Sequence, residues 1–322
     1  MSGKVSSMAM NGLEAAAVGS AALDRDLRGL DLEGGRAFHA LDEARRQSRP
    51  RRAFVVDGER VGSVDESHLA ALQPWARWVE VREQAVVLTA PAQDREAMLL
   101  DLNRRLHDLG LICAWRNEPF ALFSPSSGAV LAVFERAAAR FWGTLTLGAH
   151  CNGWVAGPDG QPEAMWIARR SPTKATDPGK LDNLVGGGVP FGQTPWEALL
   201  REGFEEAGLS PSQMARATPG RVIELDRDVP EGRQFERLHV FDLQLLEGER
   251  PVNQDGEVAE VGLWPLHHTC AAAATEEMTV DAALVTLDFL LRRRLLQHSQ
   301  HAAWGAALDR LCAGTANHPT FG

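Results

Sequence analysis

Gly187-Gly188-Val189-Pro190-Phe191-Gly192-Gln193-Thr194-Pro195-Trp196-Glu197-Ala198-Leu199-Leu200-Arg201-Glu202-Gly203-Phe204-Glu205-Glu206-Ala207-Gly208-Leu209 runs from loop to helix to stop in order. Thr194 can cap the helix, with Glu197 three residues on as its capping-box partner; Pro195 suits the first helical position, and Gly208 the left-handed one that ends it. These signals predict a helix over residues 195–207. At 100° per residue Glu202, Glu205 and Glu206 share a stripe, while Trp196, Leu199, Leu200, Phe204 and Ala207 form a separate apolar sector. Like charges at these spacings cost an isolated helix a few tenths of a kcal/mol per pair, so a cationic partner is expected. Clustered carboxylate oxygens suit Mg²⁺ or Mn²⁺, which keep water and phosphate oxygens in their shell.

Around this stretch, 322 residues suffice for two modest domains with a sizeable core. Apolar residues are 44% and charged residues 24%, the balance of a soluble globular chain. A net charge of −10 argues against a nucleic-acid partner, since phosphate backbones are held through Lys and Arg. Cys113, Cys151, Cys270 and Cys312 are scattered without a C-x-x-C pair, so reduced thiols are expected instead of a zinc site or disulfide framework. No run is long and apolar enough for a membrane span or a secretory signal, and a cytoplasmic location is expected.

Residues 1–35 read as a tail with a weak helical pattern over 11–30. Residues 53–64 read as a hairpin turning at Asp57-Gly58, residues 85–88 as a strand, and residues 94–109 as an amphipathic helix stopped by Gly110. These form a small α+β unit, assigned to residues 36–135. Strands follow at 145–155, 164–168, 221–225, 238–246 and 261–264, with a turn at Gly157-Pro158-Asp159-Gly160 and a second long helix over 279–297. Strands alternating with two substantial helices predict an α/β/α sandwich over 136–300, followed by an extension over 301–322.

The quoted stretch closely resembles the Nudix box, G-x5-E-x7-R-E-U-x-E-E-x-G-U with U apolar. It matches at Gly187, Arg201, Glu202, Glu205, Glu206, Gly208 and Leu209. Gln193 stands where the box has its first Glu, and Gly203 where an apolar side chain is usual. Gln193 can still hydrogen-bond to Arg201 but brings no charge. The resemblance implies a Nudix α/β/α sandwich with a mixed sheet. It also implies divalent metal held by Glu202, Glu205, Glu206 and the Gly187 backbone, and hydrolysis of an organic diphosphate. The implied catalytic set is Glu202, Glu205 and Arg201, with Glu257 from the later acidic loop as general base and Glu260 as second candidate. A homodimer is compatible with this resemblance.

The segment from Arg169 through Lys174 to Asn183 leads into the box with four cations and several hydroxyls, which suits a phosphate clamp; Arg169, Lys174 and Asn183 are its candidate contacts. The segment is similar to one in Nudix relatives near isopentenyl-diphosphate isomerase, but the N-x-x-C-S-H-P segment those isomerases need is missing. A wider resemblance rests on Trp115-Arg116-Asn117-Glu118, Glu135-Arg136-Ala137-Ala138, Phe141-Trp142-Gly143, His150-Cys151-Asn152-Gly153-Trp154 and the R-S-P-T-K segment. These look like the Nudix proteins that carry a DUF4743 amino-terminal domain, a module fused in fungi to thiamine pyrophosphokinase. That group implies hydrolysis of thiamine diphosphate or its oxidised and oxo analogues to the monophosphate. Trp115 and Arg116 are then the substrate-selecting pair, with Phe120, Phe141, Trp142 and Trp154 as further aromatics that could serve either core or ligand. A nucleotide-sugar or dinucleotide pyrophosphatase is the alternative within the class. A metabolite-binding regulator without turnover is the alternative outside it.

Overall fold

The computed structural model describes residues 38–312, so the expected tail and its helical pattern lie outside the described residues. After α1 (His39–Glu43) the chain forms the expected hairpin, β1 (Arg51–Val56) and β2 (Glu59–Asp65). Its turn places Asp57 and Gly58 at φ 51° and 82°, the paired left-handed geometry that matches strand twist. A 3₁₀ segment (Glu66–Trp75), β3 (Val79–Val81) and β4 (Ala85–Leu88) complete a four-stranded sheet of order β2-β1-β4-β3. Helix α2 (Ala92–Asp108) buries Met98, Leu99, Leu102 and Leu106 in the core of this unit. Leu109, expected on the same face, falls past the helix end and is exposed.

Residues 119–135 carried no strand assignment in sequence, yet they form a separate hairpin, β5 (Pro119–Phe123) and β6 (Val130–Glu135). The short α3 (Ala138–Trp142) then inserts Phe141 and Trp142 into the amino-terminal core. Trp142 stacks on Phe54 at 4.5 Å and donates its indole N–H to Asn103 at 2.8 Å.

The second unit is built on β7 (Leu145–Ala156), β8 (Pro162–Arg170), β9 (Leu181–Asp182), β10 (Val185–Gly188), β11 (Thr218–Val229), β12 (Gly232–Gln244) and β13 (Val258–Pro265). Among the described residues these make one seven-stranded mixed sheet, in which β12 runs parallel to β7 and β11 antiparallel to β12. On the other edge of β7, β10 pairs residues 148–151 and β8 pairs residues 153–156, so the sheet forks there. Helix α4 (Pro195–Ala207) and the short α5 (Pro211–Met214) cover one face, and α6 (Leu266–Ala273) and α7 (Val280–Arg292) the other. This is the expected α/β/α sandwich. Helix α7 ends before residue 297: Arg294 turns left-handed at φ 56°, and Leu295 N–H closes back on the Leu290 carbonyl. Helix α8 (His298–Cys312) then returns Trp304, Leu308 and Leu311 to the core, where Trp304 meets Phe38 edge-on at 5.2 Å. The four cysteines form no disulfide, and no helix of the described residues is long and apolar enough to cross a membrane.

Candidate active site

Helix α4 carries the capping box read from sequence, with Thr194 and Glu197 bonded reciprocally and Gly208 left-handed at φ 63°. Its buried face differs from the apolar sector. The residues pressed inward are Ala198, Leu199, Glu202, Gly203, Glu206 and Ala207, while Phe204 is 57% exposed. The helix is rotated so that two of its glutamates, not the centre of its apolar sector, meet the sheet. Two close approaches accommodate this. A side chain at Gly187 would strike the Glu202 carboxylate, and one at Gly203 would fall 2.7 Å from the Met214 sulfur. Met214 from α5 thus fills the space that an apolar side chain at position 203 would occupy, which accounts for that departure from the box.

Glu206 Oε2 accepts the Gly186 backbone N–H at 2.9 Å. Arg201 supplies the cationic partner that the helix needs, with Nη2 on Glu202 at 2.9 Å and Nη1 on Glu205 at 2.8 Å. Its Nε reaches Gln193 Oε1 at 3.5 Å, a long contact. Burial pushes Glu202 above the usual carboxylate range despite Arg201 and Arg136. Burial, then the neighbouring Glu202, push Glu206 up to about 8 against the pull of Lys174.

The acidic loop is pinned to α4 by Val252 N–H on the Ala207 carbonyl and Gln254 N–H on the Glu205 carbonyl, at 2.8 and 2.9 Å. Ser171 N–H then binds the Glu257 carbonyl at 2.9 Å, which sets the R-S-P-T-K loop beside it. Lys174, its side chain buried, lies between Glu257 Oε2 at 2.6 Å and Glu206 Oε1 at 3.6 Å. Arg116 crosses from the amino-terminal unit to Glu257 Oε1 at 2.9 Å. Burial raises the Glu257 carboxyl, but Lys174 and Arg116 outweigh it and hold Glu257 below its ordinary range.

The sequence segments containing Trp115-Arg116 and Glu135-Arg136 form one device. The Glu135 carboxylate accepts the backbone N–H of Arg116, Glu118 and Ala137 at 3.1 to 3.2 Å. Arg136 donates to Glu118 at 2.8 Å and reaches Gly188 of the box loop, where a side chain would fall 2.9 Å from its guanidinium. Ala114 and Asn117 hold left-handed φ of 62° and 59°, strain concentrated on the loop that presents Arg116.

A cavity of about 130 Å³ results, lined from both units by Arg116, Arg136, Arg170, Lys174, Glu202 and Glu206 among others. Several sequence candidates lie elsewhere. Arg169 is exposed and bonds the Gly179 carbonyl, because alternation along β8 turns it to the face opposite Arg170. Arg170, not among the contacts picked from sequence, lines the cavity instead; it is bound to Asp182 at 2.7 Å and to the Thr176 carbonyl. Asn183 is buried and spends its amide on Asn152, Ala282 and Thr286, with its oxygen toward His150, so it organises the interior. Trp115 packs on the amino-terminal core near His107, away from the cavity. Glu260 is exposed and pairs in register with Arg169. Phe141, Trp142 and Trp154 are core, whereas Phe120 lines the cavity. Arg136 could have been found from its place in the E-R-A-A motif, but nothing local signals that it reaches Gly188.

Among the described residues no three His, Cys, Asp or Glu side chains close around one point. The donor chemistry nevertheless fits a hard divalent cation. Glu202 and Glu206 stand one helical turn apart, both desolvated and mutually repelling, beside the Gly186-Gly187 backbone.

A NUDIX domain matches residues 149–286, and a domain of unknown function, DUF4743, matches residues 36–146. The chain is 37% identical over 209 residues to Nudix hydrolase 20, chloroplastic, of Arabidopsis thaliana, covering 64% of this chain and 54% of that protein. It is 31% identical over 260 residues to an uncharacterized protein of Saccharomyces cerevisiae, covering 73% and 75%. The chain thus spans about half the length of the plant relative. A solved structure from Deinococcus radiodurans is 24% identical, covers 53% of this chain and 99% of its own, and superposes with a TM-score of 0.41.

Proposed function

Because the chain belongs to the Nudix hydrolase family, we propose that it hydrolyses an organic diphosphate, and that its substrate is thiamine diphosphate or an oxidised or oxo analogue, cleaved to the monophosphate and phosphate. The observation that carries this reading is the buried Glu202 and Glu206 pair on one wall of a cavity whose other walls present Arg116, Arg136, Arg170 and Lys174. Anionic oxygens of a diphosphate match those cations, Arg by forked donation and Lys as a point charge.

Glu202, Glu205, Glu206 and the Gly187 carbonyl would hold the divalent ion, Mg²⁺ or Mn²⁺, which supplies charge neutralisation and a more acidic water. Arg201 orients two of these carboxylates. Water adds to phosphorus, the phosphoanhydride P–O bond breaks, and the water's proton passes to a carboxylate. We assign that role to Glu257: it borders the cavity, is partly open to solvent and is kept anionic by Lys174 and Arg116. We propose a cytoplasmic location, on the reading of the four scattered cysteines as reduced thiols.

The deciding assay offers the protein thiamine diphosphate, oxothiamine diphosphate, ADP-ribose and NADH with Mg²⁺ or Mn²⁺, and measures phosphate and monophosphate products. Release of phosphate from the thiamine compounds is expected. Turnover confined to ADP-ribose or NADH would replace this reading with a dinucleotide pyrophosphatase, and no turnover at all with a metabolite-binding protein.

A further inference from the structure

We propose that the β5–β6 hairpin of the amino-terminal unit forms one wall of the substrate site, and that the cleft between it and residues 189–194 holds the organic half of the diphosphate as a planar aromatic ring system. This inference rests on the diphosphatase reading above and adds the chemistry of the non-phosphate half. The cleft measures about 560 Å³, inside the range of roughly 300–1,000 Å³ typical of small-molecule sites. Phe123 and Val130 of the hairpin face Val189, Pro190 and Phe191 across it, and no charged side chain lines it. Phe191 is 48% and Val130 43% exposed, two large apolar groups left open to water at one place. Phe191 N–H bonds the Pro119 carbonyl at 2.7 Å, so the two walls are held together before any ligand arrives.

The cleft adjoins the cationic cavity: Phe120 and Thr146 line both, and the Arg136 guanidinium lies 5.5 Å from the Phe120 ring centroid. A diphosphate seated among Arg136, Arg170 and Lys174 therefore directs its ester substituent past Phe120 into the cleft. The cavity itself, at about 130 Å³, has little room for more than the phosphates. The polar side chains lining the cleft are few and uncharged, Ser127, Thr146, Gln193 and Thr194, whereas Phe120, Phe123 and Phe191 offer an aromatic ring three packing surfaces.

The test compares thiamine diphosphate with methyl diphosphate on the full chain carrying Phe191→Ala or Val130→Asp, with melting temperature as the check on folding. Phe191→Ala is expected to raise KM for thiamine diphosphate about tenfold with kcat within about twofold, and to leave methyl diphosphate kinetics unchanged. Val130→Asp should act in the same direction, and Phe191→Leu should recover part of the loss. Equal changes for both probes, no change for thiamine diphosphate, or wild-type preference for methyl diphosphate would overturn the inference. Should the wild type cleave neither probe, the thiamine diphosphatase reading fails by itself. The cleft is then judged by thermal stabilisation: a shift with thiamine diphosphate that Phe191→Ala abolishes supports it, and no shift in the wild type overturns it.

Discussion

Glu206 stores a proton that the folded protein is reluctant to lose. Its carboxyl is pushed by burial, then by Glu202, to about 8, above the ordinary value of 4.5. The folded state therefore binds this proton more tightly than the unfolded chain. Its contribution to stability is intact below about pH 4.5 and is lost as pH rises toward and through 8. In EDTA, the melting temperature of the wild type should fall over this window, and Glu206→Gln should flatten the fall. Added Mg²⁺ should restore the wild type most at the alkaline end and Glu206→Gln least. A mutant with the wild-type slope would remove Glu206 as its source. In activity assays the same substitution should cost orders of magnitude with the fold intact. Gln193→Glu is a second test at this scale. Its amide oxygen sits 3.5 Å from Arg201, so a carboxylate there should tighten the loop and preserve or raise Mg²⁺ affinity, as titration calorimetry can read.

At the scale of elements, α4 shows where a pattern is decided by its surroundings. Capping residues placed its ends correctly, because caps act through the backbone within a turn of the residue itself. Its rotation was not visible, since that depends on Met214 occupying the space at Gly203 and on Gly187 admitting Glu202. Gly203→Leu should therefore overpack the α4–α5 contact and cost about 1–3 kcal/mol in denaturant unfolding, with most recovered in Gly203→Leu/Met214→Ala. If the double variant is no more stable than the single, Met214 does not fill that space. Glu135 makes a parallel case at the end of β6. Its carboxylate satisfies three backbone N–H groups of the loop that carries Arg116, and Glu135→Ala should cost on the order of 2–3 kcal/mol. KM for the diphosphate should rise as Arg116 loses its fixed position.

Across the whole molecule, the site exists only where the two units meet. Arg116 and Lys174 approach Glu257 from different units, and together they hold its carboxyl low. Removing either cation should move the acid limb of the kcat/KM–pH profile to higher pH, more for Lys174→Met, whose side chain is buried, than for the half-exposed Arg116. An acid limb that stays in place in both variants would show that another group takes the proton. Stability should change by less than about 1 kcal/mol in Arg116→Met, because a pair this exposed is screened by solvent.

The α/β/α class, the ends of α4, the Asp57-Gly58 hairpin and the carboxylate box are all legible in the sequence, being written in spacing, turn chemistry and caps within one segment. The sequence also kept Lys174 and Glu257 among the candidates, as hydrophilic groups between strands. Which cations face the carboxylates is set by packing between segments far apart in the chain. Arg169 and Arg170 are neighbours whose fates are set by the pleat of β8, and Asn183 is drawn inward by partners more than 30 residues away on β7 and α7. Arg136 lies about 50 residues before Gly188, the loop position it approaches, and is brought there by the packing of the two units. Long-range packing of that kind leaves no periodic trace in a sequence, because the contact belongs to the meeting of surfaces and not to either segment alone.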